Sequence, residues 1–200
     1  ADESGGNNHK KFETIGLEDT FENRRAYREM FFKTPDIENY LSGIILFEET
    51  TGQNTSEGIN FVEYLKNRGI LVGVKLDGGL QPLTGFEGET ISLGLDSLVE
   101  KLQKYSKAGI DFAKWRVAFE IDEEKGTPSE AAIASNLRVL AQYAKACQNY
   151  GIVPIVEPEV VYSGKHTIKQ CREVTEKILK KLFEELKIFK VDLKGTILKT

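Results

Sequence analysis

Five short runs of apolar and β-branched residues, at 44–47, 70–76, 112–119, 152–156 and 196–198, leave few folds open. A strand with one wet face alternates apolar and polar residues. Runs that are apolar on both faces read as parallel strands buried between layers. The first and last runs begin at 44 and 196, four steps apart, so each step averages 38 residues. That is the length of a βα unit. The intervals carry helix signals. Asp19 with Glu22 reads as a capping box opening a helix that runs to about 32. Ser56 is placed to cap a helix through Tyr64 that ends near Gly69. A stripe of Leu95, Leu98, Leu102 and Tyr105 predicts a helix over 95–108, stopped by Gly109. Thr127-Pro128-Ser129-Glu130 offers a cap, a Pro at the first helical position and a Glu beyond it, for a helix to Tyr150 and Gly151. Thr167 with Gln170 opens the last helix, with Val174, Ile178, Leu182 and Leu186 on its inner face. Alternating strands and helices suit a doubly wound sheet or a (β/α)8 barrel.

The strand ends decide between them. A buried strand should be apolar throughout, yet almost every run here carries charge at or near its C-terminal end. Lys75 follows 71–74. Lys114 and Arg116 flank Trp115, Glu157 and Glu159 flank Pro158, and Lys199 follows 196–198. Asp2 would close a strand whose body lies before residue 1. Residues two apart share a face, so each pair points one way. Buried charge is costly unless it is paired or used. A barrel gathers its strand C-termini at one mouth, where the loops build the site. The expected fold is therefore α/β, a (β/α)8 barrel. Residues 1–200 are read as one incomplete domain, from the end of strand one through strand six, because a full barrel typically needs about 250 residues.

Such an inventory suggests chemistry. A lysine made neutral can attack a carbonyl as a Schiff-base nucleophile. A carboxylate pair offers proton transfer, because like charges push their pKa values apart. The remaining cations suit a phosphate or another anion. The composite is a metal-independent, cofactor-free Schiff-base lyase or isomerase acting on phosphorylated carbonyl compounds. Composition trims the alternatives. Lys+Arg 27 against Asp+Glu 31 gives net charge −4, which disfavours sequence-independent nucleic-acid binding. Two His cannot furnish a multi-His metal cluster, and two Cys cannot make a disulfide scaffold. No apolar run approaches a membrane span, and the polar, acidic start is unlike a secretory leader. A reduced, cytoplasmic compartment is expected. His9 and His166 read as solvated or capping, Cys147 and Cys171 as inert thiols, Trp115 as core, and Lys177, Lys180, Lys181 and Lys187 as a solvated helix face.

Seven segments carry a resemblance. They are Ala1-Asp2-Glu3-Ser4, Glu22-Asn23-Arg24-Arg25, Ile45-Leu46-Phe47-Glu48-Glu49-Thr50, Gly73-Val74-Lys75-Leu76-Asp77, Phe112-Ala113-Lys114-Trp115-Arg116, the stretch 152–159 and Gly195-Thr196-Ile197-Leu198-Lys199. In order and spacing the chain resembles class I fructose-bisphosphate aldolase. The resemblance implies reversible cleavage of fructose 1,6-bisphosphate to dihydroxyacetone phosphate and glyceraldehyde 3-phosphate, a step of glycolysis. It implies Lys199 as the Schiff-base lysine, Glu157 as the proton shuttle, and Glu159 as an acid that positions the lysine. Asp2 would handle the proton of the C4 hydroxyl, and Lys114 would polarise substrate near the scissile bond. Lys75 and Arg116 would belong to the phosphate-facing wall, and Arg24 would contact substrate. Lys11 stands where the family has a phosphate-clamping arginine, Gly5-Gly6 where it usually has Thr-Gly, and Gly78 where it has a second lysine. A homotetramer and binding of actin or acidic adhesin tails are also implied. The alternatives are a non-catalytic barrel fragment that binds acidic partners, or another Schiff-base barrel lyase such as a transaldolase.

Overall fold

The computed structural model describes residues 1–200, which divide into two compact units. The first comprises residues 1–75 and 110–112 and the second residues 76–109 and 113–200.

The first unit opens with α1 (Gly5–Glu13) and α2 (Phe21–Phe32). β1 (Gly43–Leu46) and β2 (Leu71–Lys75) are parallel, in the register Gly43↔Leu71 to Leu46↔Val74, with α3 (Phe61–Asn67) between them. The βα repeat read from the sequence is therefore present, with shifted helix starts. α2 is capped by Thr20, whose hydroxyl accepts from Asn23 N–H at 3.1 Å, rather than by Asp19. α3 is capped by Asn60, not Ser56, and the Ser56 N–H and hydroxyl donate to Glu29 instead. α1 carries no side-chain cap, and Phe12 is its buried apolar anchor. β2 runs beneath Phe112. A Cβ on Gly73 would lie 2.2 Å from that ring, so only glycine fits.

The second unit adds an antiparallel hairpin, β3 (Leu80–Pro82) with β4 (Thr90–Ser92), which the apolar-run pattern did not reveal. α4 (Leu98–Lys107) starts three residues later than expected. β5 (Phe112–Phe119) takes the predicted bounds, and all but its first residue lies in this unit. α5 (Glu130–Asn149) is capped by Ser129, which accepts from Ala132 N–H. Thr127, the expected cap, is in a bridge with Asp122. β6 (Val153–Val160) extends four residues beyond the expected run, through Glu157 and Glu159. α6 (Ile168–Ile188) has the predicted Thr167/Gln170 capping box and buries Ile178, Leu182 and Leu186. β7 (Ile197–Leu198) pairs parallel with β6, and β5, β6 and β7 are neighbours in that order. Trp115 is fully buried with its ring 5.2 Å from Tyr143 of α5. No helix is long and apolar enough to cross a membrane.

Candidate active site

In the second unit the charged strand ends converge. The register pairs Val156 with Leu198, and the Lys199 N–H donates to the Val156 carbonyl at 3.0 Å. Lys199 thus stands beside Glu157 and its ammonium donates to the Glu157 carboxylate. Lys114, from β5, reaches the other oxygen of the same carboxylate, with Nζ 3.1 Å from Oε2. Glu157 is 2% exposed and Lys114 7%, whereas the Lys199 side chain is half-exposed. One buried carboxylate therefore serves two lysines, one sealed and one open to a ligand. The base of β7 is fixed by Gln148 of α5. Its amide donates to the Asp192 carbonyl at 2.7 Å and accepts from the Asp192 N–H at 2.9 Å.

Glu157 and Glu159 do not act on each other as a simple carboxylate pair. The Glu159 carboxylate accepts from the Arg116 guanidinium, and that bond holds its pKa below the usual carboxylate value, against a smaller desolvation effect. The same bond raises the pKa of Arg116. The pKa of Glu159 is lowered further by the charges of Lys199 and Lys114. Arg116 also lines a cavity of about 200 Å³ with Leu80, Glu89, Phe119, Glu120 and Val161. Asp77 closes one of the segments that carry the resemblance, yet its own sequence surroundings point to no role. Its carboxylate accepts from the Arg116 N–H at 3.3 Å and from the Gly79 N–H at 3.2 Å, tying the middle of β5 to the segment 77–79.

The first unit holds Asp2, Lys11, Arg24 and Lys75. Lys75 ends β2 and is half-buried. Lys11 donates to Glu3 at 2.6 Å, which raises the lysine's pKa. Arg24 is gripped on two sides, by Asp19 Oδ1 at 2.7 Å and by both oxygens of Glu49 at 3.0 and 2.7 Å. Glu49 lies in one of the segments that carry the resemblance but without a role of its own, and Arg28 lies in none of them, yet both prove central here. Arg28 is 1% exposed, approaches Glu49 at 3.4 Å and donates to the Glu3 carbonyl at 2.9 Å. Asp2 and Arg28 line one cavity of about 380 Å³ with Tyr27, Phe31, Ile44 and Ile45. Their sequence signal is weak, because Glu48-Glu49 and the Arg24–Arg28 stretch look like ordinary surface charge.

No group of three or more His, Cys, Asp or Glu residues is arranged to hold a metal ion. Cys147 is buried and its thiol is pushed up to about 12 by desolvation, so it stays protonated and unreactive.

Comparison with known proteins finds relatives that match along the whole chain. The chain is 49% identical over 200 residues to fructose-bisphosphate aldolase C-B of Danio rerio, covering all of this chain and 54% of that protein. It is 48% identical over 198 residues to a probable fructose-bisphosphate aldolase class 1 of Xanthomonas campestris, covering 99% of this chain and 59% of that one. It superposes on fructose-bisphosphate aldolase from Plasmodium falciparum, solved in complex with TRAP and a small-molecule inhibitor. There the TM-score is 0.96 at 42% identity, over 99% of this chain and 57% of that one. The chain thus spans about half the length of the curated relatives it matches. The likeness places the fold in the α/β class, among the (β/α)8 barrels of that family. The family model for "Fructose-bisphosphate aldolase class-I" matches residues 1–200, and the chain belongs to that family.

Proposed function

We propose that the protein containing this chain is a glycolytic class I aldolase that reversibly cleaves fructose 1,6-bisphosphate through a Schiff base on Lys199. The observation that carries the proposal is the buried Glu157 carboxylate shared by Lys114 and Lys199. Proton transfer from the Lys199 ammonium to Glu157 leaves a neutral amine, which attacks the substrate's C2 carbonyl. Glu157 returns the proton to the carbinolamine oxygen, water leaves, and an iminium forms. Lys114 holds the other oxygen of the same carboxylate, 3.1 Å away, and so fixes its orientation. Asp2 then takes the proton of the C4 hydroxyl as the C3–C4 bond breaks. The electron pair flows into the iminium to give an enamine, which is protonated at C3 and hydrolysed to release dihydroxyacetone phosphate. Lys75, Arg116, Arg24 and Lys11 serve the phosphate groups, and Glu159 orients Arg116 and lends its charge to Lys199. Residues 1–200 are taken as part of a single barrel domain, and neither metal nor cofactor is required.

A cytoplasmic homotetramer fits the resemblance. Binding of an acidic adhesin tail or of actin is a second role that the resemblance implies, and the complex of the Plasmodium falciparum relative with TRAP supports a partner-binding role of that kind. The test is borohydride reduction of the full-length protein with fructose 1,6-bisphosphate. Peptide mass analysis should find the reduced adduct on Lys199. An unmodified Lys199, or an adduct elsewhere, overturns the assignment.

A further inference from the structure

The first unit contains a carboxylate whose position surface charge alone does not explain. Glu49 lies in the helical turn over 48–52 that follows β1. Its two oxygens take the Arg24 fork through three contacts of 2.7 to 3.2 Å, the bidentate geometry that fixes a guanidinium in direction as well as place. It also faces Arg28 at 3.4 Å. Arg28 is sealed from solvent, and its other nitrogen donates to the carbonyl of Glu3, the residue after Asp2. Burial lowers the Arg28 pKa and the charges of Glu49 and Glu3 oppose that effect, so the guanidinium depends on these acids to stay charged. Asp2 and Arg28 border the same cavity.

We propose that Glu49 is a positioning residue for the aldol reaction. It aims Arg24 directly and, through Arg28, fixes the backbone that carries Asp2. The proposal rests on the aldolase reading, in which Arg24 binds substrate and Asp2 moves a proton. Two effects should separate in the kinetics. Losing the Arg24 grip raises KM, whereas loosening the backbone at Asp2 lowers kcat, because small misplacements of a reacting group are expensive.

The test uses the full-length protein, with steady-state cleavage of fructose 1,6-bisphosphate and thermal unfolding measured in parallel. Glu49→Gln keeps the shape and removes the charge. It should raise KM and lower kcat, each by about tenfold. Glu49→Asp keeps the charge but shortens the reach. It should recover kcat more than KM, since the Arg28 charge is again matched while the fork is not. Wild-type kinetics in a folded Glu49→Gln protein overturn the proposal. Kinetic losses that only track the unfolding midpoint, or failure of both variants to fold, also overturn it, in favour of a purely structural acid. If the wild-type protein itself does not cleave the substrate, the aldolase reading has failed rather than the role of Glu49.

Discussion

Lys199 and Arg carry the same charge, but only lysine can shed it at working pH. Lys199→Arg should therefore abolish turnover with an unfolding midpoint close to wild type, because this side chain is half-exposed and its contact with Glu157 tolerates another cation. Stopped turnover together with a collapsed midpoint would make Lys199 structural instead. Glu157→Gln should slow turnover by about 10²–10⁴ while leaving KM nearly unchanged, as expected for a proton shuttle. It should also loosen the fold, since Lys114 is then buried beside a neutral amide. The sequence made Lys114, Glu157 and Lys199 visible for one physical reason: charge interrupting an apolar strand demands a use. Glu49 and Arg28 escaped because their burial comes from tertiary packing. Arg28 sits on a helix rich in charge, and nothing in its neighbours tells it apart from exposed Arg25 partners such as Glu22. The partner of Glu159 was also hidden, because strand periodicity gives the face of a side chain but not which cation across the sheet will reach it.

At the scale of elements, Gly73 has a clear consequence. Its Cβ position is occupied by the Phe112 ring, with three ring atoms within 2.6 Å. Gly73→Ala must push the ring or bend β2, and should cost about 1–3 kcal/mol in denaturant unfolding. A neutral substitution would mean that Phe112 can swing aside freely. Elements with strong periodicity or a full cap were readable: β5, and α6 with its Thr167 box. The weak ones were not. α1 begins with two glycines and two asparagines, poor helix formers held by the burial of Phe12. The β3–β4 hairpin has strands of three residues and shows only Ser92 fully buried, too little for an alternating pattern to register. The start of α5 was misplaced by rival caps: Thr127 and Ser129 both suit the role, and backbone pairing with Asp122 takes Thr127 away.

For the whole molecule, acid is the informative stress. Burial pushes the Glu29 carboxyl up. Hydrogen bonds from Arg25, the Ser56 N–H and hydroxyl, and Lys33 outweigh it and hold the group at about 2. In the other unit, Lys177 and Lys181 hold Glu130 at about 2. Both values lie below the ordinary 4.5, so both groups stabilise the fold fully above that pH. This stability should drain away as pH falls from about 5 to 2, lowering the thermal midpoint. Glu29→Gln should flatten that slope more than Glu130→Gln, because Glu29 is 8% exposed and solvent screens the Glu130 cluster. Equal slopes would show that burial is not what gives the Glu29 network its weight. The chain also has a single tryptophan, sealed between Gly94 and Tyr143 on the strand that carries Lys114 and Arg116. That makes Trp115 an optical probe placed by nature. Its fluorescence should be blue-shifted and shielded from acrylamide in the native protein, and any reagent that springs β5 from its helices should redden it. Light emission would then follow the strand bearing Lys114 during unfolding, without any label being attached.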